Sequence, residues 1–485
     1  MNKSEEFLKR YAFYIFLFIT FIIMLFRTPF WDETHAFEIA SLKLNEIFYL
    51  TRIEGHPILW YLILKPFTNI RFYPYSMFLI NWVFTCSAVY LLFKKSHFSY
   101  TIKTLIAFST PFLIYFAPVA RCYGVGLFLI FLICTLHTKR FKKPYLYAIL
   151  IVLASQTSLT AMIGVFSLGL IFLFELITRV KKKILPKKAV FIVFFIFLLT
   201  SLFTISEFIG VEKLWNVNFD ESFTTMYRYA LSPAASNIFS YLLRLSFHIA
   251  FFGFPYFMYK YSKKSLVFIT LTYSIMAIMF LFAYPGVFWN HFWFFVWFIV
   301  CMWLYGKKIL KIKFVRYVFL SILAFMLIPY AVMDGNSWQM LYSSQSKKIA
   351  NYISSKPEYK KAKLYTLDWW SDISPAASVY LKQRGIKLYN MENIERGTFE
   401  DKVNISRYFH GVKSSDFDEF ISKTPEDFYI LTNGYLTFEH SKNCDVHVED
   451  NYDMYFTTKQ NKYFLKAIEY KPDNLHLIIY KVIKL

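Results

Sequence analysis

Through its first two-thirds the chain alternates long apolar runs with short polar connections. A helix needs about 17–25 mostly apolar residues to cross a bilayer. Runs of that kind lie near 11–27, 74–93, 104–118, 120–137, 144–157, 160–178, 189–206, 237–259, 265–284, 287–305 and 314–333. The pattern predicts a polytopic α-helical membrane part, residues 1–335, with about eleven spans. From about residue 336 the pattern changes, and polar or charged residues recur every few positions. There 344–355, 375–384 and 417–423 read as helices. The short runs 363–367, 386–389, 428–432, 463–468 and 475–483 read as strands. Strands mixed with helices predict a three-layer α/β domain over 336–485.

Composition agrees with a membrane part. The 485 residues are 56% hydrophobic, 22% aromatic and 18% charged; soluble domains run at about 45–50% apolar and about 25% charged. The net charge of +22 changes meaning once it is located. Every second connection carries a basic cluster, and these connections together hold 24 basic residues against Glu5, Glu6 and Glu175. The others hold eight basic against ten acidic residues, and the tail 21 against 19. Short Lys/Arg-rich loops stay in the cytoplasm. The chain therefore reads as N-terminus in and C-terminus out, and its basicity as a topology signal, with no nucleic-acid partner. The first run ends in Arg27-Thr28-Pro29 without a small-residue cleavage site and is expected to remain as an anchor. Five scattered cysteines, four of them in apolar runs, predict buried thiols and no disulfide framework.

Candidate chemistry concentrates in the first outer connection, 28–73. It contains Trp31-Asp32-Glu33-Thr34-His35, then Glu54-Gly55-His56-Pro57, and five acidic residues in all. Ala36, Phe37, Ile39, Ala40, Leu42 and Leu44 interleave with polar positions, as in a helix lying at the membrane interface. Asp32 and Glu33 in its first turn would favour the helix by a few tenths of a kcal/mol, which accounts for either acid taken singly. Asp32, His35, Glu54 and His56 are donors of the kind that bind metals. No compact ligand spacing joins them, so no metal ligand is assigned and a divalent ion stays open as a cofactor. Arg121 is the sole charge at the short outer connection between the runs 104–118 and 120–137. Its planar guanidinium suits a bidentate phosphate contact; snorkelling to the interface is the alternative. Arg244 lies within a run, where charge defaults to a functional hypothesis. The fourth outer connection, 207–236, is polar and reads as a loop above the membrane face.

Taken together these segments resemble the membrane glycosyltransferases of the GT-C fold, in particular the group containing protein O-mannosyltransferases and lipid A aminoarabinose transferases. There, an Asp-Glu pair follows the first span and a Gly-His-Pro-Pro segment lies later in the same loop. The matching text is Trp31-Asp32-Glu33 and Gly55-His56-Pro57-Ile58-Leu59-Trp60, with Ile58 in place of the second proline. Ala120-Arg121-Cys122-Tyr123-Gly124 is similar to the Ala-Arg-x-Tyr segments of bacterial relatives. Trp289-Asn290-His291 is a weaker match, with Asn290 where relatives often have a basic residue. Ser155-Gln156-Thr157 stands where relatives often have a histidine. The resemblance covers roughly 1–333.

It implies transfer of a sugar, with inversion, from an undecaprenyl-phosphate donor to a glycan, lipid or protein acceptor. The reaction would take place at the outer face of a bacterial inner (plasma) membrane, with the tail periplasmic or extracellular. Asp32 would be the general base, with Glu33 beside it. Arg121 would bind phosphate, Arg244 would be a second phosphate ligand, and Glu54, His56 and His291 would bind substrate. The rivals are a polytopic lipid or glycan transporter or flippase, and a non-catalytic envelope scaffold. Transporters often carry paired repeats and mid-membrane helix breaks. No internal repeat is visible, and the acids cluster in an outer loop.

Overall fold

A computed structural model describes residues 3–54, 56–208, 253–254, 262–282, 288–328, 344–366, 376–389, 428–432, 445–448, 453–457, 462–471 and 477–484. The chain forms two compact units that do not follow chain order. One comprises Met1–Arg27, Thr51–Leu64 and Met77–Trp338; the other comprises Thr28–Leu50, Lys65–Ser76 and Gln339–Leu485. Most of the first outer connection thus clusters with the tail, although the sequence groups it with the membrane part.

The first unit is helical. Among the described residues, five helices are long and apolar enough to cross a membrane. They are α1 (Lys3–Phe26), α5 (Tyr75–Lys95), α9 (Leu159–Lys181), α10 (Lys187–Phe208) and α11 (Lys263–Phe282). Shorter apolar helices are α7 (Tyr123–Leu136), α8 (Pro144–Ser155), α12 (Phe288–Tyr305) and α13 (Lys313–Phe325). On α10, Phe191, Phe194, Phe195, Leu198, Leu199, Leu202 and Phe203 are exposed. A surface of that size and composition is stable against lipid rather than water.

The expected span 104–118 is broken. Helix α6 (Tyr100–Ala107) stops, and a π-helical turn, Pro111–Phe116, follows. Pro111 supplies no N–H and disfavours helix at the residue before it. The N–H of Thr110 instead donates to the carbonyl of Met326 at 2.7 Å. The expected span 237–259 lies outside the described residues, apart from 253–254.

Ties between helices are aromatic at the centre and ionic at the end predicted to face the cytoplasm. Trp297 of α12 donates from Nε1 to the carbonyl of Thr160, 3.1 Å away. A side chain at Gly164 would run into the Trp297 indole, so glycine is what allows α9 and α12 to close. Glu175 of α9 accepts from Arg140 Nε at 3.0 Å and pairs with Lys264. Cys86, Cys122, Cys134 and Cys301 are buried free thiols, as the sequence predicts.

In the second unit the tail strands build a mixed seven-stranded sheet, ordered β2-β1-β3-β7-β6-β5-β4. The strands are β1 (Lys363–Thr366), β2 (Leu388–Tyr389), β3 (Phe428–Thr432), β4 (Asp445–Val448), β5 (Met454–Thr457), β6 (Lys462–Lys471) and β7 (Leu477–Lys484). β1 pairs parallel with β2 and β3; the pairs from β3 through β7 to β4 are antiparallel. All five expected strands occur, and β4 and β5 add to them. Helices α14 (Ser346–Ser355), α15 (Pro357–Lys361) and α16 (Ala376–Gln383) precede β3. The predicted helix 417–423 lies outside the described residues.

Helix α2 (Trp31–Ser41) belongs to this unit and is followed by α3 (Leu44–Glu54). The sequence predicts α2 as an interfacial helix with one polar face. Instead, every residue from Glu33 to Ala40 is buried. Tyr73 is one reason. Its hydroxyl lies 2.6 Å from Thr34 Oγ1, and its ring packs on Phe37 and on Tyr380 of α16. Burial raises the Tyr73 phenol well above its usual pKa. Gln383 at the end of α16 donates to the carbonyls of Ile70 (2.7 Å) and Tyr73 (3.1 Å), fastening α16 to the Tyr73 segment.

Candidate functional site

Arg121 lies in the short link between the π-helical turn and α7. A broken helix leaves carbonyls that other groups must satisfy. Here three side chains do so. Asn81 Nδ2 donates to the carbonyls of Phe116 (2.9 Å) and Ala117 (3.0 Å). Thr85 Oγ1 donates to Phe116 at 2.9 Å, and Arg27 Nη1 to Pro118 at 3.2 Å. Asn81 and Thr85 are four apart on α5 and share a face. Gly124, three residues past Arg121, is what lets α7 approach that face. A Cβ there would collide with Asn81 Oδ1 and lie 2.6 Å from Thr85 Oγ1.

The link holds Arg121 almost fully buried, at 3% exposure. Its Nη2 lies 3.1 Å from His56 Nε2. A guanidinium only donates, so Nε2 is the acceptor and His56 carries its proton on Nδ1.

The His56 segment is fastened from a second side. The N–H of Ile58 donates to Glu207 Oε1 at 3.1 Å, and the N–H of Leu59 to the carbonyl of Gln156 at 3.2 Å. Gln156 Nε2 donates to Thr204 Oγ1 at 2.7 Å. The α8–α9 turn and the end of α10 thereby set the start of α4 (Leu59–Leu64). Beside Arg121, Tyr123 Oη accepts from Asn290 Nδ2 at 3.2 Å, and Trp289 stacks on Tyr115 with 5.6 Å between centroids. His291 packs on Phe280, 4.3 Å between ring centres.

An apolar groove of about 690 Å³ runs between α8, α9 and α10. Phe166, Leu170, Phe194 and Leu198 line it, and Ser155 and Thr204 lie along its wall. Thr204 is the acceptor of the Gln156 bond just described, so the groove reaches the residues that hold the His56 segment.

The two acids adjoining the first span lie in the second unit. Asp32 is half-buried in the first turn of α2. Glu33 is fully buried, and its Oε2 accepts the N–H of Phe30 at 3.1 Å, which closes the N-terminus of α2. His35 and Glu38 are buried on the same helix. Glu54 ends α3, but its side chain is outside the described residues, as are Gly55, Arg244, the segment from Glu212 to Tyr229, and Asn433-Gly434. Among the described residues no group of three or more His, Cys, Asp or Glu side chains is placed to hold a metal ion.

The sequence singles out Arg121 and His56 as candidates but not the groups that hold them. Asn81 and Thr85 were legible in principle as polar residues one turn apart inside an apolar run. Gln156 stands out in the sequence only where relatives often have a histidine, and Glu207 only as a polar residue near a predicted span end. No protein-family model and no curated protein matches the chain.

Proposed function

We propose that the protein is an integral membrane glycosyltransferase of the GT-C type that takes a sugar from a polyprenyl-phosphate donor. The observation that carries the proposal is the buried Arg121, bonded to a neutral histidine on a link braced by three side chains. Keeping an arginine in an apolar helical unit is costly. A phosphate ligand gives that cost a purpose, because a planar guanidinium holds phosphate oxygens in pairs. The groove beside α10 has the apolar lining and volume to take part of an isoprenoid chain.

In this reading about eleven spans place the N-terminus inside and the tail outside, in the periplasm or at the cell surface. Undecaprenyl phosphate is the carrier. The acceptor hydroxyl, on a glycan, lipid or protein, attacks the anomeric carbon from the face opposite the phosphate. The bond from that carbon to the phosphate oxygen breaks, and configuration inverts. The proton passes to a carboxylate base, and Arg121 stabilises the charge gathering on the departing phosphate. Asp32 enters as that base from the family resemblance alone, and so do Arg244 and His291 as further substrate ligands.

The test is sugar transfer by purified protein in lipid nanodiscs supplied with undecaprenyl-phosphate sugars. Arg121→Ala is expected to slow transfer by about 10²–10³-fold, the usual cost of losing one preorganised group that stabilises developing charge. Arg121→Lys should recover only part of it, because an ammonium lacks the paired geometry. Asp32→Asn tests the base separately, and near wild-type transfer would remove that assignment. Transfer unaffected by Arg121→Ala, in protein that elutes and melts as wild type, would sink the phosphate role. Lipid translocation without transfer would favour a flippase.

A further inference from the structure

At the end of the helical unit predicted to face the cytoplasm, two arginines share one aromatic ring. Phe141, in the link between α7 and α8, packs on Phe172 of α9 with 6.0 Å between ring centres. Over its ring lie the guanidinium groups of Arg179 of α9, 3.8 Å from the centroid, and of Arg140, 4.3 Å from it. Their hydrogen bonding differs. Arg140 is engaged: Nη1 donates to the carbonyl of His137 at 2.6 Å, and Nε and Nη2 reach Glu175 Oε2 at 3.0 and 2.9 Å. Glu175 is the only acid between residues 122 and 206 and is shared between Arg140 and Lys264. Among the described residues, no hydrogen bond or ion pair engages the Arg179 guanidinium.

A ring holds the plane of a guanidinium without consuming its donors. Arg179 therefore presents an oriented fork, the geometry that takes two phosphate oxygens at once. The flanking links add positive charge. Lys142 and Lys143 follow Phe141 and are exposed. Beyond α9 the chain turns at Lys183 (φ 58), where the N–H of Ile184 donates to the carbonyl of Arg179 at 2.9 Å, and Lys187 opens α10. The dipole of α9 favours cations at its C-terminus, which accounts for Lys182 and Lys183 but not for a half-buried arginine laid on a ring. Apolar surface begins next to these charges: Phe174 is 72% exposed, Phe191 69% and Ile184 58%. A ligand for this place has an anionic head and apolar tails. Basic sites between helices at the cytoplasmic side of membrane proteins take lipid head groups of that kind. An acidic protein segment would answer the charges alone.

We propose that Arg179, with the lysines of the two flanking links, binds the phosphodiester head of an anionic phospholipid such as phosphatidylglycerol, whose acyl chains lie along Phe174 and Phe191. The lysines disfavour a zwitterionic head, which carries an ammonium of its own. This site is independent of the glycosyltransferase reading.

Native mass spectrometry of the full chain in detergent, titrated with phosphatidylglycerol or phosphatidylcholine of the same acyl chains, tests it. Phosphatidylglycerol should bind the more tightly. Arg179→Gln should lower its affinity about tenfold, the worth of one charge-assisted hydrogen bond, and Arg179→Lys should restore part of that. Phe141→Leu keeps every charge and should weaken binding about two- to fivefold, the worth of an exposed cation–ring contact. Lys9→Gln removes one charge from α1 instead and should change nothing. Equal losses in Arg179→Gln and Lys9→Gln would reduce the effect to net charge and overturn the site. So would equal binding of the two lipids, binding untouched by Phe141→Leu, or inorganic phosphate that displaces phosphatidylglycerol at comparable concentration. Should Arg179→Gln fail to fold, Phe141→Leu decides. A poly-glutamate peptide that binds as tightly as phosphatidylglycerol, and is lost in Arg179→Gln, would assign the surface to a protein and overturn the lipid.

Discussion

Single residues decide how the helical unit is pinned. His97, between α5 and α6, places Nε2 3.2 Å from the carbonyl of Met302 and 3.1 Å from that of Trp303. Both acceptors are carbonyls, so Nε2 bears the proton. Burial lowers the pKa of the imidazole below its usual 6.5 despite these bonds. The unfolded chain then takes up a proton near pH 6.5 that the folded protein refuses. Stability from this site is complete above pH 6.5 and declines as pH falls from there towards the folded pKa. Thermal unfolding in detergent should show that decline, and His97→Gln, which still donates but does not titrate, should flatten it. Glu207 acts on the opposite side of the bundle. Glu207→Gln keeps an acceptor for the N–H of Ile58 and should be mild. Glu207→Ala leaves that buried donor unmet and should cost about 1–3 kcal/mol. Arg121 was legible because a lone charge in an apolar neighbourhood demands explanation. Glu207 was not, because its partner is a backbone group 149 residues away in the chain.

Elements depend on close approaches that leave little trace in hydropathy. Gly124→Ala would push α7 off the Asn81–Thr85 face that braces the Arg121 link. Overpacking of this kind costs about 1–3 kcal/mol. Here it should also lower transfer, since Asn81 and Thr85 cannot both yield and keep the carbonyls of Phe116 and Ala117 satisfied. A melting curve and an activity assay on the same preparation check both, and loss of neither would show that the link tolerates the shift. The apolar runs located most helices to within a few residues, because lipid selects simply for length and apolarity. The run at 104–118 misled because hydropathy is blind to the missing N–H of Pro111. Helix α2 misled for a different reason. Interleaved apolar and polar residues look alike at a membrane surface and between protein layers, and only partners remote in sequence, Tyr73 and Tyr380, tell the two apart. In the tail, β4 and β5 escaped because Asp445–Val448 and Met454–Thr457 are too short to carry a pattern of their own.

At the scale of the whole chain, one physical quantity separates the competing arrangements: which polar segments face which side of the bilayer. The basic clusters assign 179–188 to the cytoplasm, and the odd number of expected spans assigns the tail to the outside. Cysteine accessibility reads this directly, because Cys86, Cys122, Cys134 and Cys301 are buried and should resist labelling. In a chain carrying Cys444→Ser, new thiols placed by Ile184→Cys and by Lys360→Cys lie at exposed positions. A membrane-impermeant maleimide added to intact cells, with any outer membrane made permeable, should modify the Lys360→Cys chain. It should modify the Ile184→Cys chain only after the inner membrane is opened. Labelling of both in intact cells, or of neither, would break the topology on which the proposed function depends. An even number of spans would put the tail in the cytoplasm. The same experiment therefore bears on the proposed donor site, because three expected spans separate Arg121 from the 179–188 cluster and would put Arg121 on the outer side when that cluster is cytoplasmic.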